Sequence, residues 1–128
     1  MLKFRKLITL NNDGMILKSK SYEFAVNIIK LYRFLVKEKK DFQISNQLLR
    51  SGTAIGALIR EAEFAQSPKD FVHKLSIALK EANESSYWLD LLKDTEYISG
   101  DQHKNLHALN VELIKMLIAS IKTTKSKF

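Results

Sequence analysis

A chain of 128 residues, 45% hydrophobic and 27% charged, excludes a disordered polymer and has room for a single domain with a real core. It contains no cysteine, which excludes disulfides and thiolate metal centres, and no apolar run approaches the roughly 18 residues of a membrane span. The net charge of +7 excludes an acidic protein and raises the prospect of a polyanionic partner.

Residues 1–10 carry Lys3, Arg5 and Lys6 ahead of only four largely apolar residues, shorter than the core of a secretory signal, so the chain reads as cytoplasmic. Residues 1–17 are set apart from the rest. Leu7–Leu10 and Met15–Leu17 flank Asp13-Gly14, a pattern that predicts a short hairpin, with a loose tail or an extended strap as alternatives. The remainder, residues 18–128, is predicted to be one domain of four long helices, since four glycines and one proline leave little chain for anything else.

The first helix is expected over about 21–39, with Ser21 as N-cap. Its polar arc of Glu23, Asn27, Lys30, Arg33 and Lys37 covers about 120°, leaving apolar residues around the other 240° or so. The second helix, about 45–64, buries Ile44, Leu48, Ser51, Ile55, Leu58, Ile59 and Ala62. It also carries Gly52 and Gly56, each costing about 1 kcal/mol relative to alanine, a cost that close approach by a neighbour would offset. The third helix, about 68–97, starts at Ser67-Pro68-Lys69-Asp70, with a cap serine, a proline at the first position and an acid at the third. Asp70–Lys74 and Lys80–Glu84 have the i,i+4 spacing of surface ion pairs. The fourth helix, about 101–122, is apolar over roughly 220° and lines up Lys104, Lys115 and Lys122 on its narrow polar side.

Short connections between four helices predict an all-α, up-down-up-down antiparallel four-helix bundle. The surplus apolar width of the first and fourth helices would be an exposed patch on a monomer, and predicts a symmetric oligomer. Residues 1–40 carry ten basic and three acidic side chains, residues 41–100 six and nine, and residues 101–128 five and two. Both ends are therefore basic and the centre acidic, a pattern that suits a polyanion or attraction between different molecules.

No pattern for catalysis is present. No glutamate precedes a histidine by three positions, and Asp70-x-x-His73 is accounted for by the helix start. His103 and His107, four apart, could reach one ion, but only one further histidine exists, so they read as part-buried or interfacial imidazoles with no metal or cofactor. Glu81 with Glu84, and Glu61 with Glu63, are paired carboxylates best explained as interhelical ion pairs to Arg50, Arg60 or Lys80. Lys30, Arg33 and Lys37 form one basic stripe and Lys104, Lys115 and Lys122 another. On neighbouring first and last helices they would merge into a surface for RNA or DNA, without any base-reading motif. Asn110 falls inside the apolar arc of the fourth helix, either buried, where it would fix register or oligomer state, or at the helix edge.

The run from Gln47 through Arg50, Gly52, Gly56 and Glu61 to Ala62 is distinctive, as is that from Ser67 through Asp70, Glu81, Glu84 and Trp88 to Leu89. Together they resemble the bacterial four-helix-bundle proteins encoded in intervening sequences of 23S rRNA genes. The resemblance covers about residue 18 to the C-terminus and leaves out 1–17. It implies a homopentamer, and a further likeness to the accessory protein of diversity-generating retroelements, a basic barrel that binds nucleic acid and a reverse transcriptase. It carries over no catalytic residues. The expectation is a non-enzymatic oligomer that binds nucleic acid through its basic stripes. The alternative is a scaffold whose protein partner docks on the Trp88 side of the third helix or on the acidic centre.

Overall fold

A computed structural model of the protein describes residues 12–128. They form α1 (Asn12–Glu38), α2 (Gln43–Glu63), α3 (Pro68–Asp94) and α4 (Gly100–Lys127), with no strand among the described residues. Each helix packs on its neighbours in the order α1, α2, α3, α4, and α4 returns to α1 through the thinnest of the four seams. Connections of only a few residues make successive helices antiparallel.

Helix α1 runs across the expected boundary between residues 17 and 18. The hairpin expectation fails for Met15–Leu17, which are helical; its other half, Leu7–Leu10, lies outside the described residues. Ser21 is not an N-cap either. It is buried within the helix, and its hydroxyl donates to the Lys18 carbonyl at 2.9 Å. The physical reason is the spacing of Gly14, Leu17, Ser21, Phe24, Ile28, Leu31 and Leu35, all buried, which continues one core-facing stripe through the Asp-Gly signal. A lone two-stranded hairpin is marginal in water, whereas the extended helix adds Leu17 to the core.

Local chemistry sets the other ends. Asp41 accepts the Ser45 N–H at 2.7 Å ahead of α2, which begins at Gln43 without a side-chain cap on Phe42. At α3 the Ser67 hydroxyl accepts the Asp70 N–H at 3.0 Å, and the Asp70 carboxylate accepts the Gln66 N–H at 3.2 Å. Helix α3 stops at Asp94 rather than near Tyr97. Glu96 turns left-handed at φ 64°, the Glu96 N–H returns to the Lys93 carbonyl and the Tyr97 N–H to that of Leu92. This reversal brings Ile98 into the core. Ser99 and Gln102 form a reciprocal capping box for α4, which continues to Lys127 with Thr124 buried and bonded to the Ser120 carbonyl.

The core contains Phe24, Ile28 and Leu35 of α1, Leu48, Ile55 and Ile59 of α2, Phe71, Leu75 and Leu89 of α3, and Leu113 and Leu117 of α4. Exposed apolar side chains fall unevenly. On α1, Met15, Ile16, Tyr22 and Ile29 remain exposed, while on α4 only Ile118 does among the helix's large hydrophobics. Leu109, Ile114, Met116 and Ile121 of α4 pack against the core instead. The surplus apolar width expected on both helices is thus a feature of α1 far more than of α4.

Candidate nucleic-acid interface

Lys30, Arg33 and Lys37 of α1 and Lys104, Lys115 and Lys122 of α4 are all exposed. None has a carboxylate partner among the described residues. The Lys20–Glu112 ion pair at 2.9 Å joins α1 to α4, and Glu112 as hydrogen-bond acceptor and neighbouring charge holds the Lys20 ammonium above its ordinary pKa. Further along, Asn27, Lys30, Leu31 and Phe34 face Gln102, Asn105 and Leu106 across a groove of about 340 Å³. Lys30 therefore sits beside the start of α4, where Lys104 lies. Lys115 and Lys122 are about 16 and 27 Å further down α4 at 1.5 Å per residue. The two stripes meet at one end of the seam and diverge, rather than merging along its length.

At that shared end the basic surface is broader than the six residues. Lys39 and Lys93 line an adjoining cavity of about 470 Å³ together with Phe34 and Tyr97, and the Lys39 ammonium lies 6.0 Å from the Phe34 ring centroid. Reasoning by helical stripes missed both lysines. One lies just past the end of α1 and the other on α3, so no single helix face contains them; only the Lys39-Lys40 doublet at a helix end hinted at a local charge cluster.

The acidic centre is organised differently, with carboxylates tied to cations across helices. Arg50 of α2 bridges Glu81 at 3.1 Å and Glu84 of α3, and Trp88 donates its indole N–H to Glu84 at 3.3 Å. Glu61 pairs with Lys74 at 3.2 Å and Glu63 with Lys18 at 2.5 Å. The i,i+4 pairs Asp70–Lys74 and Lys80–Glu84 do not form, because Asp70 caps α3 while Lys74 and Glu84 reach across to α2. Arg60 lies 5.7 Å from the Tyr22 ring centroid instead of on a carboxylate. Below this layer the Ser51 and Ser85 hydroxyls meet at 2.9 Å, buried, and the Ser85 hydroxyl donates to the Glu81 carbonyl. Glu61, Glu81 and Glu84 tie α2 to α3, and Glu63 ties α2 to α1.

Gly52 and Gly56 lie on the α1 side of α2. A Cβ at Gly52 would fall 2.8 Å from Ile28 Cγ1, whereas one at Gly56 would meet Ser21 Oγ at 3.4 Å. Across the α3–α4 seam, Asn110 is fully buried and donates to the Ala82 carbonyl and the Ser86 hydroxyl, both at 2.8 Å. It is a buried tie between α3 and α4 and not an edge residue. Near the α4 N-terminus, His103 Nε2 lies 2.7 Å from Asp90 Oδ1, and His107 stacks on His103 with centroids 5.1 Å apart.

Four amphipathic helices, a closed apolar core and interhelical polar ties define an all-α four-helix-bundle protein. The chain belongs to the family of 23S rRNA-intervening sequence proteins, whose family model matches residues 14–119. The match begins within the first turn of α1, ahead of the residue 18 expected from the central motifs. Among solved structures, it is similar to the crystal structure of a protein of unknown function from the S23 ribosomal protein family of Bacteroides thetaiotaomicron VPI-5482. That protein is 56% identical, with a TM-score of 0.85 over 86% of this chain and 98% of the other. No curated protein sequence matches the chain. No helix among the described residues is long and apolar enough to cross a membrane.

Proposed function

We propose that the protein is a non-enzymatic homo-oligomer, a pentamer, that binds RNA or DNA through the basic side chains of α1 and α4. The observation that carries this reading is the contrast in charge pairing. Glu61, Glu63, Glu81 and Glu84 of α2 and α3 are engaged by cations across helices, while Lys30, Arg33, Lys37, Lys104, Lys115 and Lys122 of α1 and α4 stand exposed with no carboxylate partner among the described residues. Unpaired surface cations release condensed counterions when they meet phosphates, and that release is the main source of sequence-independent affinity. The α1–α4 groove adds the amide side chains of Asn27, Gln102 and Asn105 beside Lys30, donors suited to phosphate and sugar oxygens. Repetition of the surface around a pentamer would multiply its field.

The test is binding of labelled 23S rRNA fragments and duplex DNA across a salt series. Log K should fall with log salt at about −0.9 per duplex phosphate neutralised, or about −0.7 on single strands. Combined Lys30→Glu, Lys37→Glu, Lys115→Glu and Lys122→Glu substitutions should weaken binding to every sequence alike. Absence of retention by the unmodified protein at low salt would end the reading. A protein-docking role has one observation in its favour, the exposed Tyr87 ring set edge-on to Trp88 at 5.0 Å on α3; capture of one protein partner insensitive to nuclease would favour it.

A further inference from the structure

We propose that Asp90, His103 and His107 form a site for a divalent transition-metal ion of the Zn²⁺ class that bridges α3 and α4. Two of the donors come from one face of α4, where residues four apart lie one above the other. The third comes from α3, and the sequence spacing of the histidines does not reveal it. Asn110, through its bonds to Ala82 and Ser86, fixes the register that brings Asp90 level with His103.

Three observations carry the assignment. One donor atom from each of the three residues lies within 4.8 Å of the others. The imidazoles lie side by side, with centroids 5.1 Å apart and planes at 17°, so one ring has only to turn about its Cβ–Cγ bond for both to aim a nitrogen at a common point. His107 Nδ1 is buried with no hydrogen-bond partner. The Asp90–His103 bond by itself would be an ordinary tie between helices, but it leaves that nitrogen unexplained. In the tautomer that carries its proton on Nε2, that nitrogen offers a lone pair with nothing donating to it, which is what a Lewis acid takes.

The geometry needs only side-chain adjustment. Ligands about 2.1 Å from a tetrahedral ion stand about 3.4 Å apart. His103 Nε2 and Asp90 Oδ1, now at 2.7 Å, would have to part slightly, and His107 would have to close in. The Asp90 side chain is 54% exposed and can turn, whereas His103 at 10% is held in place. The donor set selects the ion. Two imidazoles and one carboxylate suit Zn²⁺, Co²⁺, Ni²⁺ or Fe²⁺, while Ca²⁺ and Mg²⁺ prefer all-oxygen shells. Three protein ligands leave a fourth position for water or another ligand.

The experiment titrates the full-length protein, stripped with a chelator and dialysed, with ZnCl₂ by calorimetry. In parallel, the histidine ring nitrogens are followed by long-range ¹H–¹⁵N NMR. One ion should bind per chain, with the rings of His103 and His107 shifting and that of His73 unmoved, since His73 lies exposed about 25 Å away along α3. His103→Gln, His107→Gln and Asp90→Asn should each weaken binding roughly tenfold or more, and His73→Gln should leave it unchanged. Circular dichroism confirms that each variant is folded, and the NMR titration of unmodified protein stands even where one is not. Absence of heat and of ring shifts at millimolar Zn²⁺ overturns the site. So does binding that survives the combined His103→Gln and His107→Gln substitutions, or that follows His73.

Discussion

Gly52 and Gly56 stand about one turn apart on the same side of α2, yet an added methyl group would meet different surroundings at each. At Gly52 it would press on Ile28 at 2.8 and 2.9 Å, against a fully buried β-branched side chain with little freedom at χ1. At Gly56 it would make an ordinary contact with Ser21 at 3.4 Å. Alanine gains about 1 kcal/mol of helix propensity at either position, while overpacking a tight core costs about 1–3 kcal/mol. Gly52→Ala should therefore destabilise the protein by about 1 kcal/mol, and Gly56→Ala should stabilise it by up to about 1 kcal/mol. Urea denaturation at one fixed protein concentration measures both, and equal effects of one sign would contradict the packing argument. The glycine spacing announced close approach, but only the position of Ile28 separates the glycine that is needed from the one that is tolerated. Asp90 was hidden for a similar reason. Its partner is 13 residues away across a turn, and helix-face reasoning relates residues within a helix and not across a connection.

Helix starts were legible where side chains cap them. Ser67-Pro68 with Asp70 satisfies orphan backbone donors in a way that the residue types announce; Ser99 and Gln102 do the same for α4, although the expected start near residue 101 did not rest on them. The ends that were misplaced have no such marker. Ser21 looks like a cap, but its hydroxyl bonds back to the preceding turn, which a serine inside a helix does equally well. Helix α3 closes in a Schellman arrangement with Glu96 at the left-handed position usually given to glycine, so its end carries no glycine to read. A side chain there costs about 1–2 kcal/mol of backbone strain. Glu96→Gly should recover about 1 kcal/mol after the added freedom of the unfolded chain is allowed for. A higher urea midpoint with an unchanged slope would show it, and an unchanged or lower midpoint would mean that Glu96 makes a compensating contact.

For the whole molecule, the question is what covers α1. Met15, Tyr22 and Ile29 recur every seven residues and are 55%, 61% and 36% exposed, on a different face from the buried Leu17–Leu35 stripe. A seven-residue apolar repeat turned outward is the pattern of a helix that packs on a neighbouring helix, and the arginine of Arg60 over the Tyr22 ring covers only part of it. The sequence showed the surplus as an apolar arc wider than one face, but it could not divide the surplus between α1 and α4. That division depends on α4 using Ile114, Met116 and Ile121 inside the bundle. In the proposed pentamer the α1 stripe lies between subunits, and the combined Tyr22→Glu and Ile29→Glu substitutions should convert the oligomer to a helical monomer in sedimentation equilibrium. The same variant separates assembly from charge, because it leaves Lys30, Arg33, Lys37, Lys104, Lys115 and Lys122 in place. If the oligomer is what engages nucleic acid, its monomeric form should bind more weakly and with a shallower slope of log K against log salt, since fewer phosphates are neutralised per binding event. An unchanged slope in the monomer would place the whole interface on one subunit and remove the oligomer from the binding argument.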